Sequence, residues 1–196
     1  ADLDSSPVDW QRLMDGLTGN SALVDGKKPR EHQLNAISKA YVHYMADGND
    51  RGKLIMACGT GKTYTSLLIA EQLFGNKGLV LFMVPSIALL GQSLNAWSAD
   101  AKKSIKAVCI CSDSKASRKT TKESDDTDDS VVDLAVPAST NPQSIASQLK
   151  KYRNHDGLVV VFSTYQSIDA VSAAQREILF ETNGEYGVFD FIICDE

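Results

Sequence analysis

Apolar and polar positions alternate along the chain in blocks that predict strands and helices in turn. Five short, nearly continuous apolar runs are typical of strands covered on both faces of a parallel sheet. They are KLIMAC (53–58), KGLVLFMVP (77–85), IKAVCIC (105–111), GLVVVFSTY (157–165) and FDFIICDE (189–196). Segments with helical spacing lie between them. The pattern therefore predicts an α/β fold, with a mainly parallel sheet of at least five strands and helices on both faces.

The domain organisation follows from changes in this pattern. Residues 1–28 are mixed in character and are expected to form a lead-in or linker, with the main domain over 29–196. The first helix of that domain is predicted in KPREHQLNAISKAYVHYM (28–45), where Leu34, Ile37 and Tyr41 recur at helical spacing. A later helix is predicted to begin near Asn141, with Pro142 in its first turn.

The polar segment 112–135 interrupts the alternation. It contains too few apolar side chains to offset the entropy of ordering it, so we predict a mobile surface insertion. Its second part carries Glu123, Asp125, Asp126, Asp128, Asp129 and Asp133. A metal site made of these carboxylates is an alternative, but a solvated acidic loop is favoured because no glycine-punctuated calcium loop is present.

Composition limits the class of protein. Hydrophobic residues make up 43% and charged residues 23% of the 196, as in ordinary soluble domains. No apolar run approaches the roughly 18 residues of a membrane helix, so no membrane partner is expected. The four cysteines lack metal-ligand spacing, which favours reduced thiols and a cytoplasmic location.

The formal net charge does not by itself indicate a nucleic-acid-binding protein. It is −5, and removing the six acidic charges in the second part of the insertion changes it to +1. Contacts to phosphates are also made by hydroxyl, amide and backbone N–H groups. A nearly neutral domain is therefore compatible with weak, salt-sensitive binding to nucleic acid.

The strongest chemical signal is CGTGKT, which follows the first predicted strand and opens a helix. That context is required of a phosphate-binding loop, in which glycines allow positive φ and the helix adds unpaired N–H groups. The predicted nucleotide-binding residues are Cys58, Gly59, Thr60, Gly61, Lys62 and Thr63. Lys62 would reach the β- and γ-phosphates of ATP, and the Thr63 hydroxyl would bind Mg²⁺.

Met56 stands where the usual pattern has a glycine. This position is expected at the end of the strand, outside the backbone that wraps phosphate, so the substitution does not remove the site. The alternative is a glycine turn before a helix, with Lys62 merely solvated. The coincidence of strand, loop, helix and GKT ending argues against it.

An acidic pair at the end of the last apolar run completes the pattern of an ATPase. Ligands of open parallel sheets lie beyond the carboxyl ends of the strands, where Asp195 and Glu196 are expected. Asp195 would hold Mg²⁺, and Glu196 would orient or deprotonate the attacking water. A strand that ends in two exposed acids is the alternative, and the upstream loop makes it less favoured.

MACGTGKT and ICDE together resemble motifs I and II of superfamily 2 helicases and translocases, and the resemblance extends over most of the chain. It implies a RecA-like P-loop domain, the first lobe of a motor that uses ATP and Mg²⁺. PREHQLNAI resembles the upstream adenine-recognition segment of that family. By this resemblance Gln33 would read the adenine edge, and Arg30 would lie near it.

Two further segments resemble the family motifs that touch the sugar–phosphate backbone of a tracked strand. VPSIALLGQSLNAW resembles motif Ia, and FSTYQSI resembles motif Ib. The resemblance implies nucleic-acid contacts for Pro85, Ser86, Gln92, Ser163, Thr164 and Gln166. The alternative for both pairs, Pro85–Ser86 and Ser163–Thr164, is that they cap the helices that follow.

The sequences of these motifs resemble those in the motors of type ISP restriction–modification enzymes and of type I and type III restriction systems. The resemblance implies DNA as the partner, together with the remaining domains of a larger parent chain. We expect an excised first lobe, truncated after motif II, without the second RecA-like lobe that supplies arginine fingers. Such a lobe would bind ATP–Mg²⁺ and hydrolyse it poorly, since those arginines are worth about a thousandfold in rate.

Two other functions remain open from the sequence. One is another P-loop ATPase or a small-molecule kinase, although the six arginines are scattered without a lid-like cluster. The other is a nucleotide-binding scaffold without catalysis of its own.

Overall fold

The structure, a computed structural model, describes residues 27–111 and 138–195. Three sequence-based expectations fall outside this part of the chain. They are the character of the lead-in before residue 27, the insertion at 112–135, and the water-activating role of Glu196.

Helices and strands alternate along the described residues. The helices are α1 (Glu31–Tyr41, continued by a π-helical turn at Val42–Ala46), α2 (Lys62–Phe74), α3 (Ile87–Asp100), α4 (Pro142–Lys151) and α5 (Ile168–Glu181), the last preceded by a 3₁₀ turn at Tyr165–Ser167. The strands are β1 (Lys77–Val84), β2 (Ile105–Ile110), β3 (Gly157–Thr164) and β4 (Phe191–Cys194). None of these helices is long and apolar enough to cross a membrane.

The four strands form one parallel sheet in the order β2-β3-β1-β4. At its centre Leu81 of β1 is in register with Val161 of β3 on one side and with Ile192 of β4 on the other. Because all strands run the same way, their carboxyl ends lie at one edge of the sheet. The segments that begin at Pro85, Tyr165 and Asp195 therefore leave the sheet on the same side.

The sheet is covered on both faces, as the continuous apolar runs predict. One core packs α2 and α3 against the sheet, through residues such as Leu67, Leu94 and Phe82. The other packs α4 and α5 through Ile145 and Ile178. All eight residues of β3 are buried, which is typical of an interior parallel strand. The predicted parallel α/β architecture is confirmed.

The prediction of a fifth strand at 53–58 is not confirmed, since residues 51–57 form no regular structure. Leu54 is exposed and Ile55 is 83% exposed. Among the described residues β4 pairs with β1 alone, so its other edge has no strand beside it. We call this edge of β4, together with residues 53–57, the open edge. An apolar run becomes a strand only where a neighbour is available to pair with it.

Helix α1 buries less of its apolar face than its spacing indicates. Ile37 packs against the core that contains α2, whereas Leu34 and Tyr41 are exposed. The buried residue of α1 is a polar one, Gln33, in its first turn. The first turn of α1 therefore has a role that hydrophobic periodicity does not predict.

Candidate nucleotide site and nucleic-acid interface

The phosphate-loop candidate has the backbone geometry that an anion site requires. Gly59 and Gly61 adopt φ angles of 73° and 83°, in the left-handed region that favours glycine. Gly61 is the residue before α2, and no side chain caps the helix there. The first N–H groups of a helix have no acceptor within the helix, so those of Lys62 and Thr63 are available to a phosphate.

The first turn of α1 holds the outer side of this loop. Gln33 Nε2 donates to the carbonyl oxygen of Thr60 at 3.1 Å, and His32 Nε2 lies 3.1 Å from the same oxygen. The Thr60 hydroxyl in turn donates to the Ala57 carbonyl at 2.6 Å. These bonds engage loop carbonyls, which would repel an anion, with donors from the protein. The Thr60 N–H itself donates to the Ala57 carbonyl at 3.4 Å, so the amides that suit a phosphate are those at the start of α2.

Gln33 and Arg30 lie next to the loop, but Gln33 is 4% exposed and its amide is engaged. Its Oε1 accepts from the backbone N–H of Arg30 at 2.9 Å, and its Nε2 also lies 3.4 Å from the Gly61 carbonyl oxygen. The contacts shown are thus with the loop and with α1. Reading of adenine by Gln33, with Arg30 nearby, stays a prediction.

Lys62 and Asp195 line one cavity of about 810 Å³. The cavity also contains Ser66 of α2 and both parts of the open edge. Within residues 27–111 and 138–195, no carboxylate forms an ion pair with the half-buried Lys62 ammonium. A cation and a carboxylate that share a cavity beside unpaired helix amides match the charges of a metal-bound polyphosphate.

The donor set fits Mg²⁺ only when phosphate oxygens complete it. Thr63 and Asp195 would supply a hydroxyl and a carboxylate, the hard oxygen ligands that Mg²⁺ prefers, and of the two only Asp195 lines the cavity. Two protein ligands are too few for its octahedral shell, and the described residues contain no cluster of three or more His, Cys, Asp or Glu side chains able to hold a metal. The arrangement suits an ion that arrives with nucleotide and water.

The backbone of Asp195 is fixed from two sides. Its N–H donates to the Met83 carbonyl of β1 at 2.9 Å, which extends the pairing of β4 by one residue. Its carbonyl oxygen accepts from the Tyr165 hydroxyl at 3.0 Å. Both bonds use main-chain atoms of Asp195 and leave its carboxylate to the cavity. The sequence gives no signal for Tyr165, because its contact joins the ends of two strands far apart in the chain.

Four of the residues predicted to contact nucleic acid are exposed at the carboxyl edge of the sheet or on α3. They are Pro85, Ser86, Gln92 and Gln166. The Gln166 side chain donates to the Pro85 carbonyl at 3.4 Å, which joins the segments after β1 and β3. Ser86 also caps α3, since its hydroxyl accepts from the Leu89 N–H at 3.3 Å.

The other two predicted contacts, Ser163 and Thr164, are buried in β3. The Ser163 hydroxyl donates to the Thr164 carbonyl, and the Thr164 hydroxyl bonds to the Ser167 hydroxyl at 3.1 Å. Their side chains are satisfied inside the protein and do not reach the surface. Contact of Ser163 and Thr164 with nucleic acid therefore stays a prediction that their buried side chains do not support.

The cysteines differ in accessibility. Cys58 in the loop and Cys194 at the end of β4 are exposed, whereas Cys109 and Cys111 are buried. Burial, and to a smaller degree the nearby Cys111, raises the pKa of the Cys109 thiol to about 12. Cys109 is therefore a protonated core residue at neutral pH.

Comparison with known proteins identifies relatives for almost the whole chain. Residues 26–196 match the ResIII family, described as "Type III restriction enzyme, res subunit". A stretch of 72 residues, 36% of this chain, is 42% identical to a type I restriction enzyme EcoAI endonuclease subunit of Escherichia coli, of which it covers 9%.

Two solved structures are similar to this one. A nuclease-deletion mutant of the type ISP restriction–modification enzyme LlaGI, in complex with a DNA substrate mimic, is 38% identical, with a TM-score of 0.67. The match covers 87% of this chain and 15% of LlaGI. The ATP-dependent type ISP enzyme LlaBIII bound to DNA is 34% identical, with a TM-score of 0.72, over 100% of this chain and 12% of LlaBIII. This chain thus spans a small part of each relative.

Proposed function

This chain belongs to the ResIII family of type III restriction enzyme res subunits, and from that premise we propose that it is the ATP-binding lobe of an ATP-dependent DNA translocase or helicase of a restriction-type enzyme. One observation carries the proposal. Lys62 and Asp195, from the two motifs that resemble a motor, line one cavity beside the unpaired amides of α2.

The residues at and beside this cavity would have separate roles in binding nucleotide. The amides at the start of α2, after Gly61, would bind the phosphates, and Lys62 would offset the negative charge on the β- and γ-phosphates. Thr63 and Asp195 would hold Mg²⁺, which when bound neutralises charge between phosphate oxygens. Glu196 would orient the attacking water, and Gln33 with Arg30 would border the adenine.

The proposed DNA contact is the surface formed by Pro85, Ser86, Gln92 and Gln166. These residues are exposed and uncharged, and they lie in the segments that resemble the family motifs for contacts to the sugar–phosphate backbone. Within this surface the Gln166 side chain donates to the Pro85 carbonyl, which joins the segment after β3 to the segment after β1. LlaGI and LlaBIII, which were solved with a DNA substrate mimic and with DNA, support DNA as the polymer.

The remaining partners in this proposal are the other domains of a longer parent chain, among them a second RecA-like lobe. The small share of each relative that this chain covers supports it, as does the exposed apolar surface at the open edge. Alone, the chain would bind ATP–Mg²⁺ weakly and turn it over poorly, because no arginine from a second lobe would reach the phosphates. The four cysteines, which form no disulfide, support a cytoplasmic location.

Titration of the purified chain with ATP, with and without Mg²⁺, tests nucleotide binding, and turnover with and without duplex DNA tests the assignment as a lobe. We expect measurable ATP–Mg²⁺ affinity and turnover that stays low in both conditions. DNA-stimulated turnover near that of a whole translocase would contradict the proposed dependence on a second lobe. Absence of ATP binding would refute the nucleotide site.

A further inference from the structure

The side chain of Trp97 in α3 packs in the core against strands β1 and β3. Its side chain is fully buried, at 0% exposure. The indole meets the ring of Phe82 in β1 edge-on at 5.2 Å between centroids and the ring of Phe162 in β3 at 5.8 Å. Phe82 and Phe162 also touch each other, at 5.6 Å. These ring contacts hold the Trp97 side chain against both strands, and the direction of the indole N–H is set by the acceptor that it finds.

The indole N–H has its hydrogen-bond acceptor in the neighbouring helix α2. Trp97 Nε1 donates to the carbonyl oxygen of Thr63 at 3.1 Å, across the boundary between α3 and α2. Thr63 is the second residue of α2 and the proposed hydroxyl ligand of Mg²⁺. The same carbonyl accepts from the Ser66 hydroxyl at 2.8 Å, a bond within α2. The Ser66 bond stays within α2, whereas the indole bond connects the Thr63 carbonyl to a side chain that packs against the sheet.

A second tie joins the same two helices one residue further along. The Tyr64 hydroxyl donates to the Lys27 carbonyl, and the Lys27 ammonium lies 4.6 Å from the centre of the Tyr64 ring. The ammonium also pairs with Asp100 of α3 at 3.0 Å. The first turn of α2 is thus connected to the carboxyl-terminal turns of α3 at both Thr63 and Tyr64.

We propose that Trp97 is a positioning residue, which sets the first turn of α2 so that the Thr63 hydroxyl faces the metal of bound ATP–Mg²⁺. This inference rests on the proposed nucleotide site and adds to it a residue outside the phosphate-loop motif. The Thr63 hydroxyl is a single ligand that needs one orientation, whereas phosphate binding uses several backbone amides. A first turn that rotates or frays therefore misaligns the hydroxyl before it prevents phosphate binding. Trp97 therefore acts on the metal-dependent part of nucleotide affinity.

The test uses Trp97→Phe, which keeps an aromatic ring and removes the N–H. The Thr63 carbonyl keeps its Ser66 donor, so no buried acceptor is left unpaired. The matched control is Phe162→Leu, which loosens the same aromatic cluster and leaves the indole bond in place. ATP affinity of the chain is measured for both variants with Mg²⁺ and with EDTA, alongside thermal stability.

We expect Trp97→Phe to reduce the gain in ATP affinity given by Mg²⁺ by about three- to tenfold, the range for one hydrogen bond. Affinity in EDTA should change little, and Phe162→Leu should retain the gain at a similar loss of stability. A full Mg²⁺ gain in Trp97→Phe, or an equal loss in Phe162→Leu, would overturn the proposal.

Hydrogen exchange without nucleotide separates this inference from the proposed function. In Trp97→Phe the amides of the first two turns of α2 should exchange faster than in Phe162→Leu, whether or not the chain binds ATP. Unchanged protection there would refute the positioning role on its own. Failure of the wild-type chain to bind ATP, with faster exchange in Trp97→Phe, would refute the nucleotide function and keep the structural tie.

Discussion

The phosphate loop and the open edge are neighbours at one cavity, which Lys62 lines at the end of the loop, but the protein holds them in different ways. The loop is held from outside by Gln33 and His32, which share the Thr60 carbonyl, and its helix is tied to α3 through Trp97. At the open edge Ile192 is 51% exposed, and residues 53–57 have no strand to pair with among the described residues.

This difference indicates which half of the site is complete within the chain. In the proposed site, phosphate binding would depend on backbone groups beside a loop that local and tertiary bonds already hold. Metal binding would depend on Asp195, whose backbone is fixed although the strand that carries it, β4, pairs on one side only among the described residues. We therefore expect substitutions in the loop to abolish binding, and substitutions near β4 to have smaller effects.

The largest effect is expected from Lys62→Ala. Loss of a charged donor to two phosphates should weaken ATP binding by about a hundredfold or more, in the range of charge-assisted hydrogen bonds. Calorimetric titration measures it. Lys77→Ala is the control, because Lys77 begins β1, at the amino end of the sheet. ATP affinity that survives in Lys62→Ala would remove this lysine from the site.

Asp195→Asn should have the next largest effect. It should lower the Mg²⁺-dependent gain in ATP affinity by about tenfold and leave the melting temperature nearly unchanged, because the bonds of Asp195 to Met83 and Tyr165 use main-chain atoms. Asp190→Ala is the control with the opposite profile. Asp190 accepts from the Leu79 N–H at 2.7 Å, so its loss should lower the melting temperature and spare nucleotide binding. If the two variants behave alike, Asp195 is a structural residue.

Gln33→Ala should weaken ATP and GTP by a similar factor, about three- to tenfold, because it removes donors to the carbonyls of Thr60 and Gly61. Competition between the two nucleotides for a fluorescent analogue gives the ratio directly. A loss confined to ATP would contradict the loop-holding role and would show instead that Gln33 reads adenine. His32→Ala is the matched variant, since it removes the exposed imidazole that also bonds to the Thr60 carbonyl.

The smallest effect is a change in labelling rate. At pH 7 an alkylating reagent should modify the exposed Cys58 and Cys194 and spare Cys109, whose pKa of about 12 keeps it protonated. ATP–Mg²⁺ should slow modification of Cys58 severalfold and that of Cys194 less, as mass spectrometry of the peptides would show. Equal protection of both would mean that nucleotide also orders the open edge.

The sequence predicts the helices and strands of this fold well where an element is long and its neighbours are covered. Helix α2 and strand β3 are examples, since their apolar residues are buried as their spacing indicates. It fails at 53–58, because composition states that a run is apolar but not whether a partner strand lies beside it. Pairing between distant segments is a property of the assembled sheet.

In the candidate site, too, some features can be predicted from the sequence and others cannot. The glycine geometry and the cavity that Lys62 and Asp195 share follow from the motifs and the sheet topology. The bonds made by Tyr165 and Trp97 do not, because each joins residues about 30 positions apart through one particular rotamer. A buried tryptophan at helical spacing predicts a core residue and gives no sign of the acceptor that its N–H finds.

The close approach of Gly61 and Gln33 has a consequence for how this loop can evolve. A methyl group added at Gly61 would lie 2.6 Å from Gln33 Nε2, so a larger residue at 61 requires retreat at 33 as well as tolerance of the positive φ. A substitution at Gly61 should therefore displace Gln33 Nε2 from the carbonyls that it bonds, and its effect should be smaller when residue 33 is already alanine.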